Sequence, residues 1–149
     1  MVAPVSPQDH VRGEGLETIV YADLCCSHCA AVWPRLVALD SQLVFRHFPV
    51  VAKHGRSPAL HAAAEAAGAQ GRFFEMVDAL FADRSRIDDP HLWERAERLG
   101  LDLPRFEAER RSDAVAERVR RDTESGLAAG VADTLAIFRG GRAVELTAL

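Results

Sequence analysis

"LETIVYADLCCSHCA", Leu16 to Ala30, is the stretch whose reading decides the fold. Its first six residues are short, β-branched and partly alternating, which predicts a strand over Leu16–Tyr21. Its second half gathers all three cysteines of the chain and one of its six histidines. The residues that follow, "AAVWPRLVALD", place Val32, Leu36 and Leu39 at helical spacing. The cysteines therefore stand at a strand-to-helix junction, with Cys26 near the helix start. Pro34 is expected to kink that helix.

Working outward, "LVFRHFPVV", Leu43 to Val51, is a continuous apolar run and reads as a second strand inside the sheet. Strand, helix and strand in succession imply a parallel pair with a right-handed crossover. The middle of the chain is helical. "SPALHAAAEAAG" offers Ser57 as N-cap, Pro58 at the first turn and Gly68 as the stop. "GRFFEMVDALFAD" repeats apolar residues at Phe73, Val77, Leu80 and Phe81, and "DDPHLWERAERLG" has Asp89 as cap and Gly100 as terminator. A short helix follows in "LDLPRFEAER". The long helix after it carries Val115, Val119, Thr123 and Leu127 on one face, expected to be its buried stripe. "LAIFRGGRAVEL" is two short apolar runs around Gly140-Gly141, a β-hairpin signal. The order is β-α-β, a helical block over about 57–112, a long helix and β-β, within one α/β domain over 1–149.

The chain has 149 residues, of which 48% are hydrophobic, enough for a real core. Its net charge of -4 argues against a nucleic-acid surface. Arg110, Arg111, Arg118, Arg120 and Arg121 alternate with Glu107, Glu109, Asp113, Glu117, Asp122 and Glu124, and read as a solvated helix face. No apolar run approaches the ~18 residues of a membrane span. The opening "MVAPVSPQDHVRGEG" has no apolar signal core, so the expected location is the cytoplasm, and clustered rather than scattered cysteines fit it. Trp33 and Trp93 lie on helical stripes and are expected in the core. His47 reads as a structural histidine, and His54 and His61 as surface residues.

Three readings of the cysteines compete. Cys26-Ser27-His28-Cys29 is a C-x-x-C, and at a helix start such residues share one face with Cα atoms at disulfide range, ~5–6 Å. The free N–H groups and partial positive charge of a helix N-terminus favour a thiolate, which makes Cys26 the exposed nucleophile and Cys29 the inward partner. His28 would add to the positive field. In the metal reading, Cys25, Cys26, His28 and Cys29 are ligands, with His47, His54 or His61 to complete the set. Structural zinc sites usually draw on a second cysteine pair elsewhere, so no metal or cofactor is assigned. In the third reading the cysteines are small core residues. Cys25 fits that role, because neighbouring cysteines make a strained bridge.

The chain resembles the DsbA-like thioredoxin-fold oxidoreductases, of a compact bacterial group sometimes fused to sodium/proton antiporters. The likeness runs from about Ser6 to Arg142. It rests on "SPQDHVRG", the D-x-x-C-x-x-C of Asp23, Cys26 and Cys29, Pro34 after it, "FRHFP", "AAEAAGAQGRFFEM", "LGLDLPRF" and "ESGLAAGV". The resemblance implies a thioredoxin fold with a helical insertion. It also implies thiol–disulfide exchange on protein or small-molecule thiols and disulfides, with Cys26 attacking and Cys29 resolving. In three places the chain departs from the family. Thr134-Leu135 replaces a Thr-Pro whose proline is cis and faces substrate. A cis bond before a non-proline residue costs ~2.5–4 kcal/mol, so a trans bond and an altered substrate loop at Thr134 and Leu135 are expected. The motif's inner dipeptide is Ser-His. The chain stops where the family continues into a further helix, so apolar side chains over Ala136–Leu146 are expected to be exposed, as a homodimer or partner face. These departures keep a second reading open, a thioredoxin-fold binding or regulatory domain with weakened catalysis.

Overall fold

The computed structural model describes the whole chain, Met1 to Leu149. In chain order the elements are β1 (His10–Arg12), β2 (Leu16–Ala22), α1 (Ser27–Ala38), β3 (Ser41–His47), α2 (Ser57–Gly68), α3 (Phe73–Ala82) and α4 (Asp89–Arg98). They continue as α5 (Leu103–Arg110), α6 (Asp113–Ala128), β4 (Ala136–Arg139) and β5 (Arg142–Val144), with a closing 3-10 turn over Leu146–Ala148. The sheet order is β1-β3-β2-β4-β5. β2 and β3 run parallel, as strand-helix-strand requires, and the other pairs are antiparallel. No helix is long and apolar enough to cross a membrane.

Alternation along the two inner strands builds both faces of the sheet. Val20, Ala22, Leu43 and Phe45 join the helix-side core with Leu36, Leu60, Met76 and Leu80. Ile19, Tyr21 and Val44 join a second cluster on the opposite face with Val2, Phe48, Val131 and Phe138. Being covered on both sides is why these strands read as nearly continuous apolar runs. β4 and β5 form the expected hairpin, with Gly140 and Gly141 at φ +57 and +77, a conformation that only glycine takes freely.

Several expectations are corrected. β1 was not foreseen; it is three residues long and pairs with the outer side of β3. The cap of α4 is Asp88, which accepts the His91 N–H, and Asp89 is the first helical residue. The cap of α2 is Arg56, which leaves Ser57 inside the helix and free for another role. The buried face of α6 is Val115, Asp122 and Gly126, while Leu127 is 60% exposed. Gly126 lies there because an added Cβ would meet Phe48 and Tyr21 ring carbons at 2.7–2.9 Å. Trp93 is partly exposed, because its indole N–H reaches across to Glu107 Oε1 at 2.6 Å. The charged run is not all solvated either: Arg110, Arg118 and Asp122 are largely buried in ion pairs.

The end of the sheet is also covered. Ile137 and Phe138 are buried, and Val144, Leu146 and Leu149 pack onto the main core. The N-terminal segment closes the face beside Phe138 with Val2 and Val5. It is clasped by Arg46, whose guanidinium donates to both Asp9 carboxylate oxygens at 3.0 Å and to the Ala3 and Pro4 carbonyls. The open apolar face expected over Ala136–Leu146 is therefore absent, because residues from the start of the chain occupy it.

Candidate active site

Asp23, just past β2 and fully buried, organises the turn into α1. Its Oδ1 accepts the Cys25 N–H at 2.9 Å and the Ser57 hydroxyl at 2.7 Å. Its Oδ2 accepts the Val50 N–H at 2.9 Å, and its carbonyl accepts the Cys26 N–H at 3.0 Å. An aspartate that bonds the N–H two residues on is a strong turn former. Burial would push this carboxyl up. Its polar neighbours, His61, Ser57 and the Val50 and Cys25 N–H groups, outweigh burial and bring it down to about 2. The turn is thus built around a buried carboxylate.

Cys26 is the N-cap of α1. Its Sγ accepts the Cys29 N–H at 3.3 Å and its carbonyl accepts the Ala30 N–H at 3.1 Å. A thiol here does what serine or aspartate usually does, and it meets the positive end of the helix. The sulfur is not the exposed group expected, since Cys26 is only 9% exposed. Leu135 packs on the main core, to which the three cysteines belong. Cys29 is fully buried. Burial pushes its thiol up to about 12 with help from the neighbouring Cys26, against a pull from the Asp23 peptide and a smaller one from the Thr134 hydroxyl. Cys25 is buried as the packing residue expected, and burial raises its thiol too. Its carbonyl accepts from Arg84 at 3.0 Å. All three cysteines are free. Ser27 and His28 stand exposed on the first turn.

The Thr134–Leu135 bond is cis, which overturns the expected trans bond. Leu135 packs on the cysteine-bearing core, Asp133 accepts the Thr134 N–H at 2.8 Å, and the same carboxylate accepts from Lys53 Nζ at 2.7 Å. Of the candidate substrate-facing pair, Thr134 brings its side chain to the Cys29 thiol, and Leu135 packs on the core that holds the cysteines. Lys53 was not foreseen. Its ammonium pKa is raised, chiefly by Asp133.

Behind the turn lies a buried polar chain that sequence reasoning missed. His61 is fully buried in α2, not at the surface as expected; His54 is half-buried. His61 Nε2 accepts the Leu24 N–H at 3.0 Å. Its Nδ1 is 2.7 Å from His47 Nδ1, and His47 Nε2 is 2.8 Å from Glu65 Oε2. His10 Nε2, from β1, bonds the same Glu65 oxygen. His47 is thus structural, as expected. The spacing of His61 and Glu65, one turn apart on α2, was the signal available. His10, His47 and Glu65 are also the residues whose ligating atoms converge within 4.8 Å, a set that could hold a metal. None of the cysteines belongs to it. In this structure Glu65 Oε2 joins the two histidines by hydrogen bonds.

The fold has counterparts among solved structures. A thioredoxin-like oxidoreductase from Silicibacter pomeroyi superposes with a TM-score of 0.82 at 18% identity, covering 93% of this chain and 84% of that one. The chain has a DsbA-like thioredoxin fold. α-DsbA1 of Wolbachia pipientis matches with a TM-score of 0.76 at 20% identity over 90% of this chain and 75% of its own. DsbA2 of Pseudomonas aeruginosa gives a TM-score of 0.68 at 23% identity, over 95% and 87%. No protein-family model matches the chain. In sequence, the chain is 38% identical over 149 residues to a Na(+)/H(+) antiporter NhaA of Herminiimonas arsenicoxydans, and 36% identical over 151 residues to NhaA 3 of Salinispora tropica. These alignments cover 93% and 95% of this chain but 24% and 23% of the antiporters, so the chain spans about a quarter of the length of those curated relatives.

Proposed function

We propose that the chain is a thiol–disulfide oxidoreductase acting on protein or small-molecule disulfides and thiols. The observation that carries this is the asymmetry of the pair: Cys26 Sγ caps α1 and accepts the Cys29 N–H, while the Cys29 thiol is buried beneath and protonated. In the reductive direction the Cys26 thiolate attacks a substrate disulfide. A mixed disulfide forms and the first substrate sulfur leaves as a thiolate that takes a proton from water. Cys29 then attacks Cys26 Sγ, and the proton it gives up ends on the departing second substrate sulfur. The second substrate sulfur leaves, and a Cys26–Cys29 disulfide remains. The oxidative direction is the reverse. Thr134 and Leu135 would receive the substrate backbone beside the sulfurs.

Only this thiol chemistry is assigned here, not the cation transport named for the longer relatives. We carry the cytoplasm forward as the proposed location, to be tested by fractionation. The activity is tested by insulin reduction with dithiothreitol, comparing the chain with Cys26→Ser and Cys29→Ser. Both variants should lose turnover, and Cys29→Ser should trap the mixed disulfide. Turnover by Cys26→Ser equal to the parent would remove the assignment and leave a non-catalytic binding domain.

A further inference from the structure

The buried chain behind the cysteine turn admits one arrangement of protons. The Leu24 N–H points at His61 Nε2 at 3.0 Å, so that nitrogen is an acceptor and carries no hydrogen. A neutral imidazole then has its proton on Nδ1. His61 Nδ1–H therefore donates to His47 Nδ1, which must be bare, and His47 Nε2–H donates to Glu65 Oε2. His10 Nε2–H donates to the same oxygen. Each bond fixes the next, from the partly exposed His10 on β1 inward to the peptide that precedes Cys25.

We propose that His61 is a positioning residue for the Cys26–Cys29 pair, holding the Leu24 peptide through a tautomer fixed by His47, Glu65 and His10. The inference rests on the oxidoreductase reading. Of the groups facing His61, His47 favours a neutral ring, while the Asp23 and Asp122 carboxylates favour a charged one and are outweighed by burial. Asp23 Oδ1 is 3.5 Å from Nε2, farther than Leu24 N. His47 faces it from β3, and Asp122 from α6 is occupied by the His47 N–H and Arg118. Burial holds the His61 imidazole down at about 4, against a smaller lift from Asp23. Burial would raise Glu65, but His10 and His47 outweigh it and hold the carboxyl well below its usual range, so the outer end remains an acceptor.

The clamp acts differently on the two redox states. In the disulfide, a covalent bond from Cys26 to Cys29 constrains the turn. In the dithiol that covalent constraint is missing, and the turn relies on hydrogen bonds, among them those of Asp23, of Arg84 to the Cys25 carbonyl and of Leu24 to His61. Loss of the His61 acceptor should therefore weaken the dithiol more than the disulfide. His61→Leu keeps bulk and removes the acceptor. His61→Gln restores both functions, with its carbonyl toward Leu24 and its amide N–H toward His47.

The test combines imidazole nitrogen NMR of the dithiol protein with the glutathione equilibrium of the Cys26–Cys29 pair and the rate of Cys26 alkylation. The expected spectrum has His61 protonated at Nδ1 and bare at Nε2. His61→Leu should shift the equilibrium toward the disulfide by about fivefold, the equivalent of one lost hydrogen bond, and His61→Gln should recover most of that shift. Where His61→Leu does not fold, Glu65→Leu releases the far end of the chain and should shift the equilibrium in the same direction. An Nε2-protonated or charged His61, or equal shifts in the Leu and Gln variants, overturns the proposal. Failure of the parent pair to exchange with glutathione instead defeats the oxidoreductase reading. Cys26 alkylation in the same variants then decides the positioning role: a change in Leu that Gln reverses supports it, and an unchanged rate overturns it.

Discussion

The Cys29 N–H donates to Cys26 Sγ at 3.3 Å while the Cys29 side chain is itself fully buried. One residue thus lends its backbone to stabilise its partner and keeps its own sulfur out of reach. With the Cys29 thiol pushed up to about 12, iodoacetamide at neutral pH should label Cys26 first and leave Cys29 largely unmodified. Peptide mapping by mass spectrometry checks this. Preferential labelling of Cys29 or Cys25 would contradict the assigned roles.

Asp23 links stability to pH. Its folded value of about 2 lies below the ordinary 3.8, so on acidification the unfolded chain takes up the proton first. The resulting stabilisation is fully present above pH ~4, is lost as the pH falls through about 2, and amounts to roughly 2 kcal/mol at neutrality. Asp23→Asn should be less stable than the parent by about that amount at pH 7, with the gap closing toward pH 2. Urea denaturation at several pH values measures it. A gap that does not change with pH would mean that the carboxylate charge is irrelevant to the turn.

Arg46 and Asp9 form a buried two-point ion pair, with side chains 3% and 6% exposed. Arg46 also donates to Tyr21 Oη at 3.0 Å, so its donors are all used. Removing one partner of such a pair leaves an uncompensated buried charge, which typically costs ~3–5 kcal/mol. Asp9→Ala should lower stability by that order and make the segment before β1 sensitive to limited proteolysis. An unchanged denaturation midpoint together with an intact N-terminal segment would show that the clasp holds nothing.

Gly126 carries a packing prediction. Alanine gains ~1 kcal/mol over glycine in a helix interior, but overpacking a close-packed site costs ~1–3 kcal/mol. Phe48 and Tyr21, the rings that a Cβ would strike, are buried and cannot swing away. Gly126→Ala should therefore destabilise by about 1 kcal/mol, whereas Leu127→Ala at the exposed neighbour should be near neutral. Thermal denaturation of the two variants compares them directly. A stabilised Gly126→Ala would mean that α6 can move off the sheet.

Local chemistry determined much of this protein from sequence alone. The β-branched run of Leu16–Tyr21, the helical spacing of Val32 and Leu36, and Gly140-Gly141 between apolar runs are decided within a few residues. The structure places strands, helix and hairpin there. Cys26 at the helix start belongs to the same class, since a cap is a property of chain position. What the tertiary structure decided is who meets whom among polar groups. Ser57 looked like a cap and instead bonds Asp23. His61 looked like a surface residue and instead anchors Leu24. Asp122 looked solvated and instead receives the His47 N–H. The Thr134–Leu135 bond is cis against its local preference, in a loop whose Leu135 packs on the main core. Apolar periodicity records which face of an element is buried. A buried polar group must also find a particular partner, and here those partners lie tens of residues away, where no local pattern names them.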